Sequence, residues 1–239
     1  MFINLGWKSD FMRTNVFILF IIMFSCQQQA KQEKTADQDK NNRINNTKDE
    51  EQPIILFFGN SITAGYGLEL DEAFPAIVQE KLDSMGIDYK VVNAGLSGET
   101  TAAGLNRIEW VLRTVPEIFV LELGANDGLR GVDLSETKKN LAGIIEKVRT
   151  VNPDVEVVIA GMEVPPNLGP EYTGEFRTLF AELAKEYNTH YIDFLLDGVA
   201  GNPELNQSDG IHPTPEGHQI IANTVIEALL PILKHEQVQ

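Results

Sequence analysis

Ile54-Ile55-Leu56-Phe57-Phe58-Gly59-Asn60-Ser61-Ile62-Thr63-Ala64-Gly65-Tyr66-Gly67 is the stretch that decides the fold. Five apolar residues end in a glycine, a small polar pair and further glycines. An apolar run of this length, bounded by turn residues, reads as a buried strand followed by a tight turn. The turn delivers one serine, Ser61, to the carboxyl end of the strand. In open α/β sheets that edge is where ligands bind. Ser61 is therefore the candidate nucleophile, and the other motifs are read in relation to it.

Downstream the pattern repeats. Strand candidates fall at 54–58, 89–92, 117–123, 155–160 and 190–194, with helix candidates near 72–85, 100–113, 135–150 and 174–187 between them. A last helix is expected near 215–233. The first helix shows the period clearly, with Phe74, Ile77, Val78 and Leu82 on one face. Strands that alternate with helices imply a parallel sheet covered on both faces. Right-handed crossovers then limit the topology to a doubly wound three-layer α/β/α sandwich with five parallel strands, flavodoxin-like in outline.

If the sheet is parallel, the loops after its strands share one edge. Four blocks stand out there: Gly59-Asn60-Ser61, Asn93-Ala94-Gly95-Leu96-Ser97-Gly98-Glu99-Thr100, Gly124-Ala125-Asn126-Asp127-Gly128 and Ser208-Asp209-Gly210-Ile211-His212-Pro213. In this order and spacing they resemble the SGNH (GDSL-type) hydrolases, most closely the bacterial arylesterase, lysophospholipase and acyl-thioesterase subgroup. The resemblance runs across nearly all of 54–233 and includes the phrases Leu123-Gly124-Ala125-Asn126-Asp127-Gly128-Leu129-Arg130-Gly131 and Asp209-Gly210-Ile211-His212-Pro213. It implies a three-layer fold and serine esterase activity. It also implies residue roles: Ser61 as nucleophile, His212 as general base, Asp209 as its partner, and Ser61, Gly98 and Asn126 lining the oxyanion hole. The family's usual Gly-Asp-Ser is Gly-Asn-Ser here, which puts the loop geometry at Asn60 in question but not the reaction class.

The residue chemistry leads the same way. A serine hydroxyl is a poor nucleophile until a base accepts its proton. Imidazole can take that proton and return it to the leaving group. A carboxylate three residues away orients the ring and stabilises its charged form. Backbone N–H groups at Ser61 and Gly98 and the Asn126 amide can face a developing oxyanion. Ser97 is the rival serine, but residue 99 is Glu, so the Gly-x-Ser-x-Gly elbow is incomplete. His190 reads as a sheet-edge or core residue, His218 and His235 as surface residues, and Asp127 as a structural partner. Asn60 is expected to brace its turn by accepting hydrogen bonds.

The acyl group is expected along a rim formed by loops 64–70, 128–133 and 162–172. A carbohydrate O-acetyl esterase is one alternative, and a catalytically silent binding module on the same scaffold is another. No phosphate loop with a lysine, zinc-type His-x-x-x-His or cysteine pair is present, so no cofactor or metal is expected.

The remaining features concern partners and location. Residues 16–24 form an apolar run preceded by Lys8 and Arg13 and followed by Ser25-Cys26. The run is too short to span a membrane and suits a signal-peptide core. Met12 is an alternative start. Cys26, the single cysteine, follows Met23-Phe24-Ser25 in a way that resembles the lipidation site of bacterial lipoproteins. Residues 1–26 are thus read as a signal peptide with a lipidation-type cysteine. A plain secretory signal or an uncleaved anchor is the alternative. Residues 27–52 are almost devoid of apolar side chains and read as a disordered polar tether. Residues 53–239 are the hydrolase domain. The expected location is a membrane-anchored lipoprotein facing the periplasm or cell exterior. Ahead of Pro53 the chain carries 7 basic and 7 acidic residues, so the net charge of −16 falls on the domain. So acidic a surface argues against nucleic acid, because phosphate contacts need Lys and Arg.

Overall fold

The computed structural model of the 239-residue chain describes residues 52–233. The signal and lipidation reading at 1–26, nearly all of the tether at 27–52 and His235 lie outside the described residues. The expected run of strands and helices is present, as β1 (Ile54–Gly59), α1 (Ser61–Ala64), α2 (Phe74–Ser84), β2 (Lys90–Asn93), α3 (Thr101–Val111), β3 (Ile118–Glu122), α4 (Ala125–Leu129), α5 (Leu134–Val151), β4 (Glu156–Ala160), α6 (Pro170–Tyr187), β5 (His190–Ile192) and α7 (Pro215–Leu233). A 3-10 turn at Pro166–Leu168 precedes α6.

All five strands pair in parallel, in the order β2-β1-β3-β4-β5. Helices α2 and α7 pack together, as do α3, α5 and α6, which makes the two outer layers. Ile55, Leu56, Phe57 and Phe58 are fully buried, as a central parallel strand requires. Their side chains alternate between the layers. Phe57 meets Phe74 of α2 edge-on at 5.3 Å. Phe58 lies toward α3, under the Arg107 guanidinium at 4.5 Å from its ring centroid.

The chain leaves β1 for β2 on one side and returns to β3 on the other. The switch point therefore falls between the carboxyl ends of β1 and β3, where Gly59 and Glu122 are paired. At the far edge β5 is shorter than its apolar pattern suggests. Gly161 N–H donates to Ile192 O at 2.8 Å and Leu195 N–H donates to Gly161 O at 3.0 Å, which closes a turn and takes Asp193 and Phe194 out of the sheet. Among the described residues no helix is long and apolar enough to cross a membrane.

Candidate active site

The turn after β1 is built from below. Asn60 is buried, and its Oδ1 accepts from Ile62 N–H at 3.0 Å, capping the one-turn helix α1. Ser61 occupies the first helical position and is half-buried. The Glu122 carboxylate lies under the turn. It accepts from Asn60 N–H (3.1 Å), Asn60 Nδ2 (2.6 Å), Thr63 N–H (3.3 Å) and the Thr63 hydroxyl (2.8 Å). Gly59 leaves the room for this, since a Cβ there would stand 2.5 Å from Glu122 Oε2 and 2.1 Å from Thr63 Oγ1. Burial pushes the Glu122 carboxyl up to about 7, against the pull of the Thr63 and Asn60 hydrogen bonds. The reading of Asn60 as a brace holds, with an addition: the side chain also donates.

The loop after β2 leans on this turn. A Cβ at Gly95 would stand 2.3 Å from Ala64 N, and Asn93 Nδ2 donates to Thr63 O at 2.8 Å. Gly98 adopts φ of +80°, a conformation L side chains avoid. The neighbouring Glu99 is buried and holds Arg107 by two bonds of 2.6 and 2.7 Å, while Arg107 Nη2 also donates to Ala94 O at 2.8 Å. This pair fixes the loop from behind. Asp127 ties the third block to the second, accepting from the Thr101 hydroxyl at 2.6 Å and Thr101 N–H at 2.9 Å. It is the structural partner the sequence suggested. Asn126 Nδ2 gives one hydrogen to Glu99 O at 3.1 Å.

The fourth block closes over Ser61 from across the site. Asp209 Oδ1 accepts from Ile211 N–H (2.9 Å) and His212 N–H (3.0 Å), and Oδ2 lies 2.6 Å from His212 Nδ1. Those bonds, the one from His212 N–H first, hold the Asp209 carboxyl down at about 2. With Nδ1–H directed at the carboxylate, the Nε2 lone pair is free to accept from the Ser61 hydroxyl, 3.0 Å away. The Tyr66 ring lies against the imidazole with centroids 4.4 Å apart. The other described histidines bond elsewhere, His190 to Glu156 at 3.0 Å and His218 to Phe74 N–H at 3.0 Å. Ser97 is exposed, away from any histidine bond among the described residues.

A cleft of about 660 Å³ opens beside Ser61 and His212. Asn126 and Leu129 line it, as do Met162, Val164, Pro165 and Pro166, in keeping with two of the three loops expected at the rim. Loop 64–70 is not part of the lining; its Tyr66 instead covers the outer side of His212. Leu168 and Tyr172 are also outside it, and the Tyr172 hydroxyl donates to Val132 O at 3.0 Å. Phe194 and Leu196, which the sequence did not single out, also line it, together with Ile211 of the fourth block. Gly98 does not line the cleft. His218 corrects another expectation, being 1% exposed on α7 with its Nδ1 accepting from the first residue of α2. The face of α7 that carries it packs on α2. Among the described residues no group of three or more His, Cys, Asp or Glu side chains is arranged to hold a metal ion.

Comparison with known proteins sets this geometry in context. Residues 57–220 match the GDSL-like lipase/acylhydrolase family. The chain is 37% identical to the esterase TesA of Pseudomonas aeruginosa over 180 residues, 75% of this chain and 89% of that one. It is 33% identical to the thioesterase 1/protease 1/lysophospholipase L1 of Escherichia coli K12 over 183 residues, 76% of this chain and 86% of that one. Among solved structures, the psychrotrophic esterase EstA of Pseudoalteromonas superposes with a TM-score of 0.72 at 30% identity, covering 76% of this chain and 98% of the other. The chain belongs to the GDSL-like (SGNH) lipase/acylhydrolase family and is a serine ester hydrolase.

The buried His218 has a consequence for stability. Burial, and then the His212 charge, lower it from 6.5 to about 4. The folded state therefore binds fewer protons than the unfolded chain between those values. Its contribution is complete above pH 6.5 and is lost as the pH falls toward about 4. The loss amounts to at most about 3 kcal/mol. Replacing His218 with Gln, which keeps an acceptor for Phe74 N–H, should flatten this acid decline. Urea midpoints of the two proteins across that range measure it, and parallel declines would show that His218 is not the cause.

Proposed function

We propose that the protein hydrolyses carboxylic esters and thioesters of acyl, aryl or lysophospholipid type through an acyl-Ser61 intermediate. The observation that carries this reading is the continuous chain Asp209 Oδ2–His212 Nδ1 (2.6 Å) and His212 Nε2–Ser61 Oγ (3.0 Å) at the mouth of an apolar cleft. Ser61 Oγ attacks the acyl carbon as its proton passes to His212 Nε2. Asp209 holds the ring in the tautomer that can accept and stabilises the imidazolium. The developing oxyanion is received by the N–H groups of Ser61 and Gly98 and by the Asn126 Nδ2 hydrogen not committed to Glu99 O. One such donor is worth about 3–4 kcal/mol in the transition state. His212 then protonates the leaving alkoxide, phenolate or thiolate. Water attacks the acyl-enzyme by the same route in reverse.

The relatives named as esterase and as thioesterase/lysophospholipase support this substrate range. The walls made by Met162, Val164, Phe194 and Leu196 favour an acyl chain over the polyol surface a carbohydrate deacetylase would meet. The connected serine and histidine count against a silent binding module. The protein is further proposed to work outside the cytoplasm as a lipoprotein tethered through Cys26. The support for that is the sequence alone: the apolar run at 16–24, the cysteine after it and the polar stretch that follows.

Ser61→Ala should abolish hydrolysis of p-nitrophenyl esters, whereas Ser97→Ala should retain it; the opposite result would move the nucleophile to the second loop. In a series from acetate to palmitate, kcat/KM should rise about fourfold per methylene while the chain is buried in the cleft, since each CH2 contributes about 0.8 kcal/mol. A preference for acetate would favour the deacetylase instead. Cys26→Ala should shift the protein from the membrane to the soluble fraction, and an unchanged distribution would remove the lipid anchor from the proposal.

A further inference from the structure

Glu122 takes part in no step of the proposed reaction, yet it lies beneath the turn that carries Ser61. All the groups that reach it can donate. Oε2 accepts from Asn60 N–H, Thr63 N–H and the Thr63 hydroxyl, and Oε1 accepts from Asn60 Nδ2. With Nδ2 committed at 2.6 Å, the other end of the Asn60 amide is fixed. Its Oδ1 faces Ile62 N–H at 3.0 Å and the Ser61 hydroxyl at 3.3 Å. A flipped amide would set oxygen against Oε1 and nitrogen against a backbone N–H. We propose that Glu122 is a positioning residue for the hydrolysis: through Asn60 it fixes the donor–acceptor polarity of the turn, so that a neutral carbonyl oxygen stands beside the Ser61 hydroxyl.

The polarity matters because Ser61 has one proton and two acceptors. His212 Nε2 lies at 3.0 Å and Asn60 Oδ1 at 3.3 Å. A neutral amide oxygen competes weakly for that proton, whereas a carboxylate in its place would bind it more strongly. The hydrogen bonds are complete once Glu122 has lost its proton. An ionised Glu122 is met by donors throughout, from the turn that carries Asn60 and Thr63. Neither of these side chains titrates, and the next titrating group along the hydrogen-bond chain is His212, beyond Ser61. An aspartate at residue 60 would set two carboxylates at 2.6 Å, and one of them would have to hold a proton. The pair would then hold its shared proton to a higher pH than Glu122 alone does.

Three full-length variants test this. In Glu122→Gln the new amide nitrogen meets a donor in either orientation, so kcat should fall about tenfold or more, with KM little changed. Asn60→Asp should retain activity at mildly acidic pH and lose it on an alkaline limb that lies above the Glu122 titration and that the unaltered protein lacks. At a pH well above 7, where Glu122 of the unaltered protein is ionised, its infrared spectrum should still show a carboxylic-acid carbonyl band that the unaltered protein has lost. Combining Asn60→Asp with Glu122→Gln exchanges donor and acceptor across the pair at constant charge. The amide nitrogen introduced at position 122 then donates to the carboxylate introduced at position 60, and the amide oxygen takes the three remaining bonds. The double variant should lose both the alkaline limb and the band. It should also recover kcat above that of Glu122→Gln while falling short of the unaltered protein, because a carboxylate then stands where the neutral Asn60 oxygen faced the Ser61 hydroxyl. A double variant no better than the poorer single variant would overturn the proposal. So would Asn60→Asp with an unaltered pH profile and no band. If a single variant fails to fold, a folded and active double variant still supports the proposal, and a double variant that also fails to fold overturns it. The kinetic arm rests on Ser61 as nucleophile. The infrared arm depends on residues 60 and 122 alone, so the two readings fail separately.

Discussion

The hydrogen bonds from the Ser61 turn to the Glu122 carboxylate tie two halves of the molecule together. Glu122 is the last residue of β3, and the turn is the first residues after β1. The bonds thus span the switch point of the sheet, where the helices leave in opposite directions. A carboxylate without water is costly unless donors surround it. Here two backbone N–H groups, an amide and a hydroxyl do so. The turn cannot move without exposing that charge to an unpaired environment. Gly59 is the geometric condition, because any side chain there would occupy the carboxylate's position.

The same device recurs one loop away. Glu99 is buried and answered by Arg107, whose guanidinium lies on the Phe58 ring. Asp127 is buried and answered by the Thr101 N–H and hydroxyl. Three acidic side chains thus face inward: Glu122 and Asp127 each fasten one loop to its neighbour, and Glu99 fastens the second loop to the helix that follows it. Their removal from the cleft leaves backbone and amide groups next to the serine, and the acidic side chain that does line the cleft, Glu163, is paired with Arg177 at 2.9 Å.

Much of this is legible in the sequence, for identifiable reasons. The strands stand out because residues buried on both faces form unbroken apolar runs, and the long helices because their buried faces repeat at helical spacing. The one-turn helices α1 and α4 are not visible, because four or five residues contain no period. Ser61, Asn126, Asp209 and His212 are noticeable because polar residues among glycines at strand ends are unusual. Phe194 escapes notice because 190–194 continues an apolar pattern, and the strand ends early only because Leu195 N–H turns back to Gly161 O. His218 is misplaced when a polar residue on a helix is assigned to solvent, although its neighbours Ile221, Ala222 and Val225 mark the buried face. Glu122 carries a signal of its own that the motifs overshadow: a charge inside the run Ile118-Phe119-Val120-Leu121-Glu122-Leu123.

The two sides of the site are held by opposite means. Ser61 stands on a buried turn with hydrogen bonds on every side, whereas His212 and Asp209 sit on an exposed loop with side chains 19% and 39% accessible. On the exposed side water screens the carboxylate, so burial cannot orient it. Two backbone N–H groups of its own loop do so instead, and the loop is secured at its base, where Gln207 N–H donates to His212 O at 2.7 Å and the Gln207 amide reaches Tyr66 O at 2.7 Å. The Tyr66 ring then limits the rotation of the imidazole. Tyr66 belongs to the segment that leaves α1, so the histidine loop takes its register from the serine turn. The order of dependence runs from the sheet outward: Glu122 fixes the turn, the turn presents Tyr66, and Tyr66 with Gln207 sets where His212 meets Ser61.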